Sequence, residues 1–358
     1  MASVVNFFQL YEACKGLNLN FANRKLMETK QILIIQTASI GDVILATPLI
    51  ESIAQSDAAI QIDFLVRKGS ETLFAEHPLL RHVMVWDKSE HKYTRLLSIL
   101  KTIRKTKYDY VINLQRFASS GFLTAFSKAN YTIGYNKNPF SFLFDRKVPH
   151  IIGTSYSLHE IDRNLLLIQD IFKQIRRIKL YPTEKDYGKV ASYKATSYIT
   201  IAPASLWETK KYPVEKWVEF INIVPDSLKI YLIGSNSDVD LCNLIAKKCV
   251  KHTLENLSGK LSLLQTASLM RDATMNFTND SAPQHLASAM NAPVASIFCS
   301  TVPAFGFGPL SEKSFIVETK AALPCRPCGL HGYKSCPEQH FKCANEINKE
   351  QLQLCLPL

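Results

Sequence analysis

The chain has 358 residues, of which 47% are hydrophobic and 20% charged, and its formal net charge is +11 at pH 7. This length exceeds that of a typical single domain, so two domains of about 150 to 180 residues each are expected. The absence of an uncharged apolar run of 18 residues argues against a membrane-spanning helix, and no short repeat indicates a solenoid. The positive charge leaves nucleic acid, an anionic membrane surface and a phosphorylated substrate as classes of partner.

Residues 1–30 precede the first predicted strand and carry no motif that we can assign. The first ten residues lack the basic start of a secretory signal, so a cytoplasmic location is expected. Met27 opens a more typical beginning for an α/β enzyme. This N-terminal extension is therefore either an extra docking helix or the product of a start codon assigned too early.

Apolar and β-branched runs alternate with helical patterns along the rest of the chain, which is typical of parallel βαβ units. The predicted strands of a first series cover residues 32–36, 60–66, 82–86, 109–114 and 130–134. Those of a second series cover residues 198–202, 229–234, 273–278 and 293–299. A polar stretch over residues 176–197 is typical of a linker. We predict two α/β domains, residues 31–184 and 185–358, facing a cleft.

The first predicted strand runs into a small-residue turn that carries one acid, Asp42. Ligands of open α/β sheets bind beyond the carboxyl ends of the strands, so Asp42 is well placed for catalysis. Asp is also a preferred cap for a helix, and a helix is predicted from Val43 onward. Both interpretations stay open on the sequence alone.

A basic amphipathic helix is predicted within residues 92–107, where apolar residues recur at helical spacing. One interpretation is a helix that packs on the sheet and exposes a solvated basic face. The other is electrostatic docking on anionic lipid head groups. The basic residues of this region are Lys88, Lys92, Arg95, Lys101, Arg104, Lys105 and Lys107.

Two loops of the second half carry candidate binding residues. Lys210 and Lys211 follow a predicted strand, and either could neutralise a diphosphate, although adjacent lysines are often only solvated. Asp280 ends another strand and could accept hydrogen bonds from sugar hydroxyls. The amides of Ser281 and Ala282 start the next helix and suit a phosphate, unless these residues are only a helix cap. Asp238 is a weaker candidate for a ribose contact.

Several common nucleotide and hydrolase motifs are missing. No Gly-x-Gly-x-x-Gly turn follows a strand, and the chain has no Gly-x-x-x-x-Gly-Lys loop and no Gly-x-Ser-x-Gly elbow. Nucleic acid is not the expected partner, because no aromatic-rich basic motif of the RNA-recognition type accompanies the charge.

Four cysteines cluster near the carboxyl end of the chain, at Cys325, Cys328, Cys336 and Cys343. The first pair has the spacing of a zinc knuckle, but the second pair is too widely spaced to match it. A structural zinc site and a reduced, loop-packing cluster are the two interpretations, and neither is catalytic.

The ordered set of motifs resembles the lipopolysaccharide heptosyltransferase family, glycosyltransferase family 9, over about residues 30 to 350. The resemblance implies a GT-B fold, in which two Rossmann-like domains face a cleft. The motifs that carry it are Ser39-Ile-Gly-Asp-Val-Ile44 with Thr47-Pro48, Gly134-Tyr135, His159-Glu-Ile-Asp-Arg-Asn164, Lys210-Lys-Tyr-Pro213, Asn256-Leu-Ser-Gly259, Asn279-Asp-Ser-Ala-Pro-Gln-His-Leu-Ala287 and the cysteine-rich tail, residues 325–343.

The resemblance also implies a reaction and a role for each site residue. The reaction is inverting transfer of heptose from ADP-heptose to a lipid A-linked acceptor, without a catalytic metal, by an enzyme peripheral to the cytoplasmic face of the inner membrane. Asp42 would be the general base and Lys210 would contact the diphosphate. Further donor contacts are implied for Asp280 with the heptose, for Ser281, Ala282 and His285 with the phosphates, for Leu261 with the adenine and for Asp238 with the ribose.

Two departures from the family pattern bear on the donor. Ala282 replaces the usual glycine and narrows the approach of a phosphate, and Gln284 replaces the usual Met. They leave two alternatives, a relative that transfers another sugar from a different nucleotide and a non-catalytic sugar-nucleotide-binding protein.

Overall fold

The computed structural model describes residues 31–89, 92–153, 158–251 and 254–356. The extension over residues 1–30, including Met27, lies outside the described residues. The described chain forms two sheets of six strands, and all neighbouring strands are parallel. The α/β class and the two series of parallel strands predicted from the sequence are confirmed.

The first sheet has the strand order β3-β2-β1-β4-β5-β6, which is that of a doubly wound Rossmann-like sheet. Its strands are β1 Gln31–Gln36, β2 Gln61–Arg67, β3 His82–Trp86, β4 Tyr110–Asn113, β5 Tyr131–Tyr135 and β6 Arg146–Val148. The helices of this half are α1 Ile40–Ile44, α2 Thr47–Ser56, α3 Lys92–Ile103, α4 Ala118–Ala125 and α5 Glu160–Leu166, with short 3-10 turns at Glu71–Phe74 and Ser141–Leu143.

The second sheet repeats this topology with the order β12-β11-β10-β7-β8-β9. Its strands are β7 Tyr198–Ala202, β8 Lys229–Leu232, β9 Leu254–Asn256, β10 Met275–Asn279, β11 Val294–Phe298 and β12 Ser314–Glu318. The helices are α6 Glu184–Val190, α7 Val214–Ile223, α8 Val239–Lys248, α9 Leu263–Arg271, α10 Ala282–Ala289, α11 Lys342–Asn345 and α12 Lys349–Gln353, with 3-10 turns at Ala191–Lys194, Glu208–Lys210, Asn236–Asp238 and Pro303–Phe305.

The strands missed by the sequence analysis are all outer strands of the two sheets. β6 and β9 have three residues each, too few to establish an apolar pattern, and β12 is partly exposed. The central strands β1, β7, β10 and β11 are almost completely buried, because helices cover both faces of a parallel sheet. Within the described residues no helix has both the length and the apolar character needed to cross a membrane.

One apolar core continues from the first half of the chain into the second. It joins Ile44 and Ile50, next to the first sheet, to Leu264 and Leu286, next to the second. Separate clusters cover the outer faces of the two sheets. The two halves therefore share a buried interface, with α1 packed against α10.

The predicted linker over residues 176–197 is partly wrong, because it contains the helix α6. Thr183 starts this helix with a capping box, in which its amide donates to Asp186 Oδ2 (2.9 Å) and its hydroxyl accepts from the Asp186 amide (3.3 Å). Helix α6 packs on α9 of the second half. The predicted domain boundary at residues 184 and 185 falls at the first residue of α6.

Helix α5 ties the two halves together. The Glu160 amide donates to the Gly306 carbonyl (2.7 Å), and Arg163 Nη2 donates to the Phe305 carbonyl (2.9 Å). On the other side, Asn164 Nδ2 donates to the Leu45 carbonyl at the end of α1 (3.3 Å). The Arg163 guanidinium is buried and paired with Glu160 (2.7 Å). These two residues of the motif over residues 159–164 therefore have a structural role.

Gly306 allows the close contact between α5 and the segment that contains Phe305. Its φ is +87°, and a Cβ there would lie 2.2 Å from the Leu158 carbonyl oxygen and 2.8 Å from Arg163 Nη1. The left-handed conformation alone costs a non-glycine residue roughly 1 to 2 kcal/mol. A side chain at this position would therefore also displace the bonds that join the halves.

We expect Gly306→Ala to lower the thermal unfolding midpoint by several degrees, measured by scanning calorimetry. Gly188→Ala is the matched control, because a Cβ at Gly188 meets nothing within 4 Å and the residue lies inside α6. Alanine is favoured there by about 0.5 to 1 kcal/mol, so the control should unfold at an equal or higher temperature. Equal midpoints for the two variants would contradict the role assigned to Gly306.

Candidate active site

Asp42 lies in the first turn of α1, just beyond the carboxyl end of β1. Its Oδ2 accepts hydrogen bonds from the Ser39 amide (3.1 Å) and the Ser39 hydroxyl (2.6 Å), so the carboxylate does cap its helix. Within the described part of the chain, Oδ1 receives no such bond and can still accept a proton from a ligand. The cap and the catalytic interpretation of Asp42 are therefore compatible.

The surroundings of Asp42 make its carboxylate more basic. Burial raises the pKa of Asp42 above its ordinary value, and the hydrogen bond from the Ser39 hydroxyl opposes this increase. The negative charge of Glu160 raises the pKa further, whereas His331 of the cysteine-rich tail lowers it. A raised pKa strengthens a carboxylate as a general base near neutral pH.

Lys210 and Asp280 form a buried ion pair beyond the carboxyl edge of the second sheet, with Nζ 2.6 Å from Oδ2. Thr301 Oγ1 donates to the same oxygen (2.6 Å), and Gln284 Nε2 donates to Oδ1 (3.1 Å). Lys211 instead pairs with the exposed Glu208 (2.7 Å). The structure thus distinguishes Lys210, which the resemblance selects, from Lys211, although residue type and position alone left the two lysines equivalent.

The start of α10 lies beside this ion pair. Ser281 is the N-cap residue and has extended backbone, but its side chain does not cap the helix. The Ala282 amide therefore has no acceptor from the Ser281 side chain, whereas Pro283 has no amide hydrogen and the Gln284 amide donates to the Ser281 carbonyl (3.2 Å). Together with the helix dipole, this arrangement suits a phosphate, as the sequence predicts for Ser281 and Ala282.

His285 is buried and uncharged. Burial, aided by the nearby charges of His159 and Lys210, lowers its pKa to about 3, so the imidazole is neutral and brings no positive charge to a phosphate. A Cβ on Gly41 would lie 3.0 Å from His285 Cδ2, so the turn that carries Asp42 packs on this side chain. Among the described residues its Nδ1 has no hydrogen-bond partner, and the phosphate contact implied by the resemblance stays a prediction.

Asp238 and Leu261, the two weaker candidates for donor contacts, lie on neighbouring loops. Asp238 Oδ2 accepts from the Ser235 amide and hydroxyl (both 2.7 Å), and Oδ1 accepts a longer bond from the Ser237 hydroxyl (3.5 Å), so Asp238 caps a 3-10 turn. Leu261 is half-buried and packs against the shared core. The Gly259 amide donates to the Gly234 carbonyl (3.0 Å), which joins the loops that precede these residues. No contact specific for ribose or adenine distinguishes either side chain.

The cysteine-rich tail folds over the loop that carries Lys210. The Tyr333 amide donates to Thr209 Oγ1 (2.8 Å), and the Thr209 amide donates to the Tyr333 carbonyl (3.1 Å). Gly332 has a φ of +78°, and a Cβ there would lie 2.8 Å from Thr209 Oγ1. The tail therefore shapes the Lys210 turn, a contact that the sequence analysis missed because Thr209 and Tyr333 are distant in sequence.

The four cysteines of the tail do not form a metal site as they are arranged. No three His, Cys, Asp or Glu side chains among the described residues are placed to share one ion. Cys328 and Cys343 nevertheless lie close enough to the other thiols to influence them, since burial and the neighbouring thiols raise the pKa of both. The described positions fit a reduced, packed cluster, and the zinc site predicted for Cys325, Cys328, Cys336 and Cys343 has no structural support.

Comparisons with known proteins identify the family of this chain. The family model of glycosyltransferase family 9 (heptosyltransferase) matches residues 96–339. Lipopolysaccharide heptosyltransferase 3 of Escherichia coli K12 is 26% identical over 285 residues, which cover 73% of this chain and 80% of that protein.

Solved structures show the same fold. A family 9 glycosyltransferase from Veillonella parvula superposes with a TM-score of 0.80 at 19% identity, covering 93% of this chain and 98% of that one. The E. coli heptosyltransferase WaaC with ADP-2-deoxy-2-fluoro heptose gives a TM-score of 0.66 at 18% identity, covering 90% and 98%. The GT-B fold is confirmed.

The fold and the family match define the class of this protein as a glycosyltransferase. The chain belongs to glycosyltransferase family 9, the heptosyltransferase family.

Proposed function

We propose that this enzyme transfers heptose with inversion from ADP-L-glycero-D-manno-heptose to a lipid A-linked acceptor in the lipopolysaccharide inner core, at the cytoplasmic face of the inner membrane. One observation carries the proposal. The turn that presents Asp42 packs directly on α10, whose start lies beside the Lys210–Asp280 pair. A base and a candidate donor site thus meet at one interface, and the similarity to an enzyme solved with an ADP-heptose analogue supports the choice of donor.

The chemical step needs a base on one side of the sugar and a stabilised leaving group on the other. Asp42 Oδ1 takes the proton from an acceptor hydroxyl as that oxygen attacks the anomeric carbon of the donor. The bond from this carbon to the diphosphate oxygen breaks, and ADP leaves from the opposite face. General base catalysis of this kind contributes roughly 10²- to 10⁴-fold.

Positive charge for the leaving group comes from the second half of the chain. Lys210 Nζ, which now pairs with Asp280, would turn to the diphosphate, and the amides of Ser281 and Ala282 would bind the other phosphate oxygens. Asp280 would keep its bonds from Thr301 and Gln284 and accept hydroxyl groups of the heptose. This arrangement supplies the charge that a divalent cation provides in other transferases, so none is required.

A second candidate, a relative that transfers another sugar, is favoured by one buried atom. Gln284 Oε1 has no hydrogen-bond partner among the described residues, although the side chain is fully buried next to Asp280. An unsatisfied buried acceptor is costly, and a hydroxyl or amide hydrogen of a donor sugar could satisfy it. Every candidate donor sugar has hydroxyl groups, but only an N-acetylhexosamine brings an amide hydrogen as well, so this sugar is the second candidate.

A panel of sugar nucleotides separates the two candidates. A coupled assay detects the nucleoside diphosphate that is released. We expect release of ADP from ADP-heptose in the presence of an inner-core acceptor. Release of UDP or GDP from a hexose or N-acetylhexosamine nucleotide, with ADP-heptose inert, would support the second candidate. No release from any donor would contradict both.

Lys210→Ala is expected to weaken ADP binding by about 10- to 100-fold, because charge-assisted hydrogen bonds contribute roughly 1.5 to 3 kcal/mol. Isothermal calorimetry with ADP measures this directly. Lys211→Ala removes the same charge one residue away. The affinity of this variant for ADP should stay within about twofold of wild type, because Lys211 pairs with Glu208 at the surface. A loss confined to Lys211→Ala would place the diphosphate on the other lysine.

Asp42→Asn should reduce transfer by about 10²-fold or more while ADP affinity stays near that of wild type. The base must be ionised, so kcat/KM should rise with pH through the pKa of Asp42, which burial has raised. Ser39→Ala removes a hydrogen bond that lowers this pKa, and the acid limb of the profile should move to higher pH.

Ser235→Ala is the matched control for the pH profile, because Ser235 caps Asp238 with the same Ser-x-x-Asp geometry in the other half. Its acid limb should coincide with that of wild type. Wild-type turnover of Asp42→Asn, or equal shifts in both serine variants, would rule out Asp42 as the base.

A further inference from the structure

Large apolar side chains are exposed on one face of the first half of the chain. We name this surface the α3–α4 face. Phe142 is 71% exposed and Phe117 is 62% exposed, although phenylalanine is usually buried. The exposed apolar residues of the α3–α4 face are Tyr93, Leu97, Phe117, Phe126, Phe142 and Leu143.

These residues belong to neighbouring elements. Helix α3 packs on α4, and the 3-10 turn Ser141–Leu143 packs on α4 as well. The ring centroids of Phe126 and Phe140 are 6.2 Å apart, and Arg104 Nε donates to the Phe126 carbonyl (2.7 Å), which joins the ends of the two helices. The exposed side chains therefore belong to adjacent elements of the first half and are not isolated positions.

Asn138 holds this surface in shape. Its Nδ2 donates to the Gln115 and Phe117 carbonyls (both 3.0 Å), and its Oδ1 accepts from the Phe140 amide (3.0 Å). A Cβ on Gly121 would lie 1.9 Å from Asn138 Oδ1. Buried bonds thus fix the loop after β5 against the start of α4, so Phe117 and Phe142 are presented from a fixed platform.

The same region carries most of the net charge of the chain. Residues 92–144 contain nine basic residues and one acid, which amounts to +8 of the total +11. The acid, Asp109, accepts hydrogen bonds from the Gln31 amide (3.0 Å) and Asn130 Nδ2 (3.1 Å). The basic residues are Lys92, Arg95, Lys101, Arg104, Lys105, Lys107, Arg116, Lys128 and Lys137.

We propose that the α3–α4 face is a docking surface for an anionic lipid bilayer. Exposed aromatic and aliphatic side chains enter the boundary between head groups and acyl chains, and exposed cations pair with lipid phosphates. These cations are Lys101, Lys105, Lys107, Lys128 and Lys137. A nucleic acid would use the charge and the rings but gain nothing from Leu97 and Leu143. A bilayer uses all of these side chains.

The position of this surface suits a lipid-linked acceptor, and in this respect the inference rests on the proposed function. Phe117 follows β4 and the turn Ser141–Leu143 follows β5, both beyond the carboxyl ends of their strands. Asp42 follows β1 at the same edge of the same parallel sheet. Docking would therefore bring the edge that carries the base towards the membrane surface.

Vesicle flotation of the full chain tests the apolar contribution. The probes are vesicles of phosphatidylethanolamine with phosphatidylglycerol, and vesicles of phosphatidylcholine alone. We expect wild type to float with the anionic vesicles only, and Phe117→Ser/Phe142→Ser/Leu143→Ser to bind them about tenfold or more weakly. The matched control, Leu244→Ser/Val250→Ser/Leu354→Ser, changes three exposed apolar residues of the second half and should bind like wild type.

Two double charge-reversal variants test the electrostatic contribution to vesicle binding. Lys101→Glu/Lys105→Glu should abolish flotation, whereas Lys185→Glu/Lys189→Glu, an equal charge change on exposed residues of the second half, should not. Loss of flotation in the first charge variant but not in the apolar variant would overturn the proposal, because it would show attraction to any polyanion, including nucleic acid. Equal losses in a variant and its control would also overturn it.

Activity with a deacylated, water-soluble acceptor separates this inference from the proposed function. We expect the apolar variant to retain transfer to the soluble acceptor while it fails to float. If wild type floats but transfers no sugar to either acceptor, the proposed function is wrong and the docking surface stands. If wild type is active and the apolar variant floats as wild type does, the docking surface is wrong.

Discussion

The close approach of Gly41 to His285 is the contact on which the site depends. A Cβ at Gly41 would lie 3.0 Å from the imidazole, so the first turn of α1 meets α10 more closely than a side chain at residue 41 would allow without a small shift of His285. Burial keeps His285 neutral, with a pKa of about 3. An imidazolium there would be repelled by Lys210, which lies close enough to lower this pKa. The imidazole thus adds no charge between the turn that carries Asp42 and the Lys210–Asp280 pair.

The same local motif serves two purposes in this chain. Ser39 and Asp42, and Ser235 and Asp238, form equivalent Ser-x-x-Asp caps after a parallel strand. A sequence pattern identifies both as caps and cannot choose a catalyst, because a carboxylate can cap with one oxygen and react with the other. The choice comes from tertiary surroundings, since Asp42 alone has the inter-domain contact through Gly41 and the Glu160 charge that raises its pKa.

Sequence patterns predicted the fold better than the site for a physical reason. Buried central strands are continuous apolar runs, so nine of the twelve strands were predicted, and only short or half-exposed outer strands were missed. Site contacts join residues far apart in the chain, as when Thr301 and Gln284 fix Asp280 or Arg163 reaches the Phe305 carbonyl. No local period records such contacts, and the lysine that pairs with Asp280 became clear only in three dimensions.

The charge of the chain acquires a different meaning once it is placed on the structure. Outside residues 92–144 the sequence has 33 basic and 30 acidic residues, so the remainder is nearly neutral. A uniformly basic protein would attract any polyanion, but here the excess is confined to the elements around the α3–α4 face. The donor site proposed for the second half, where Lys210 lies beside Asp280, needs no large field to bind a small diphosphate, since a few placed donors suffice. The two proposals thus assign different kinds of anion recognition to the two halves, diffuse charge to the first and a positioned cation to the second.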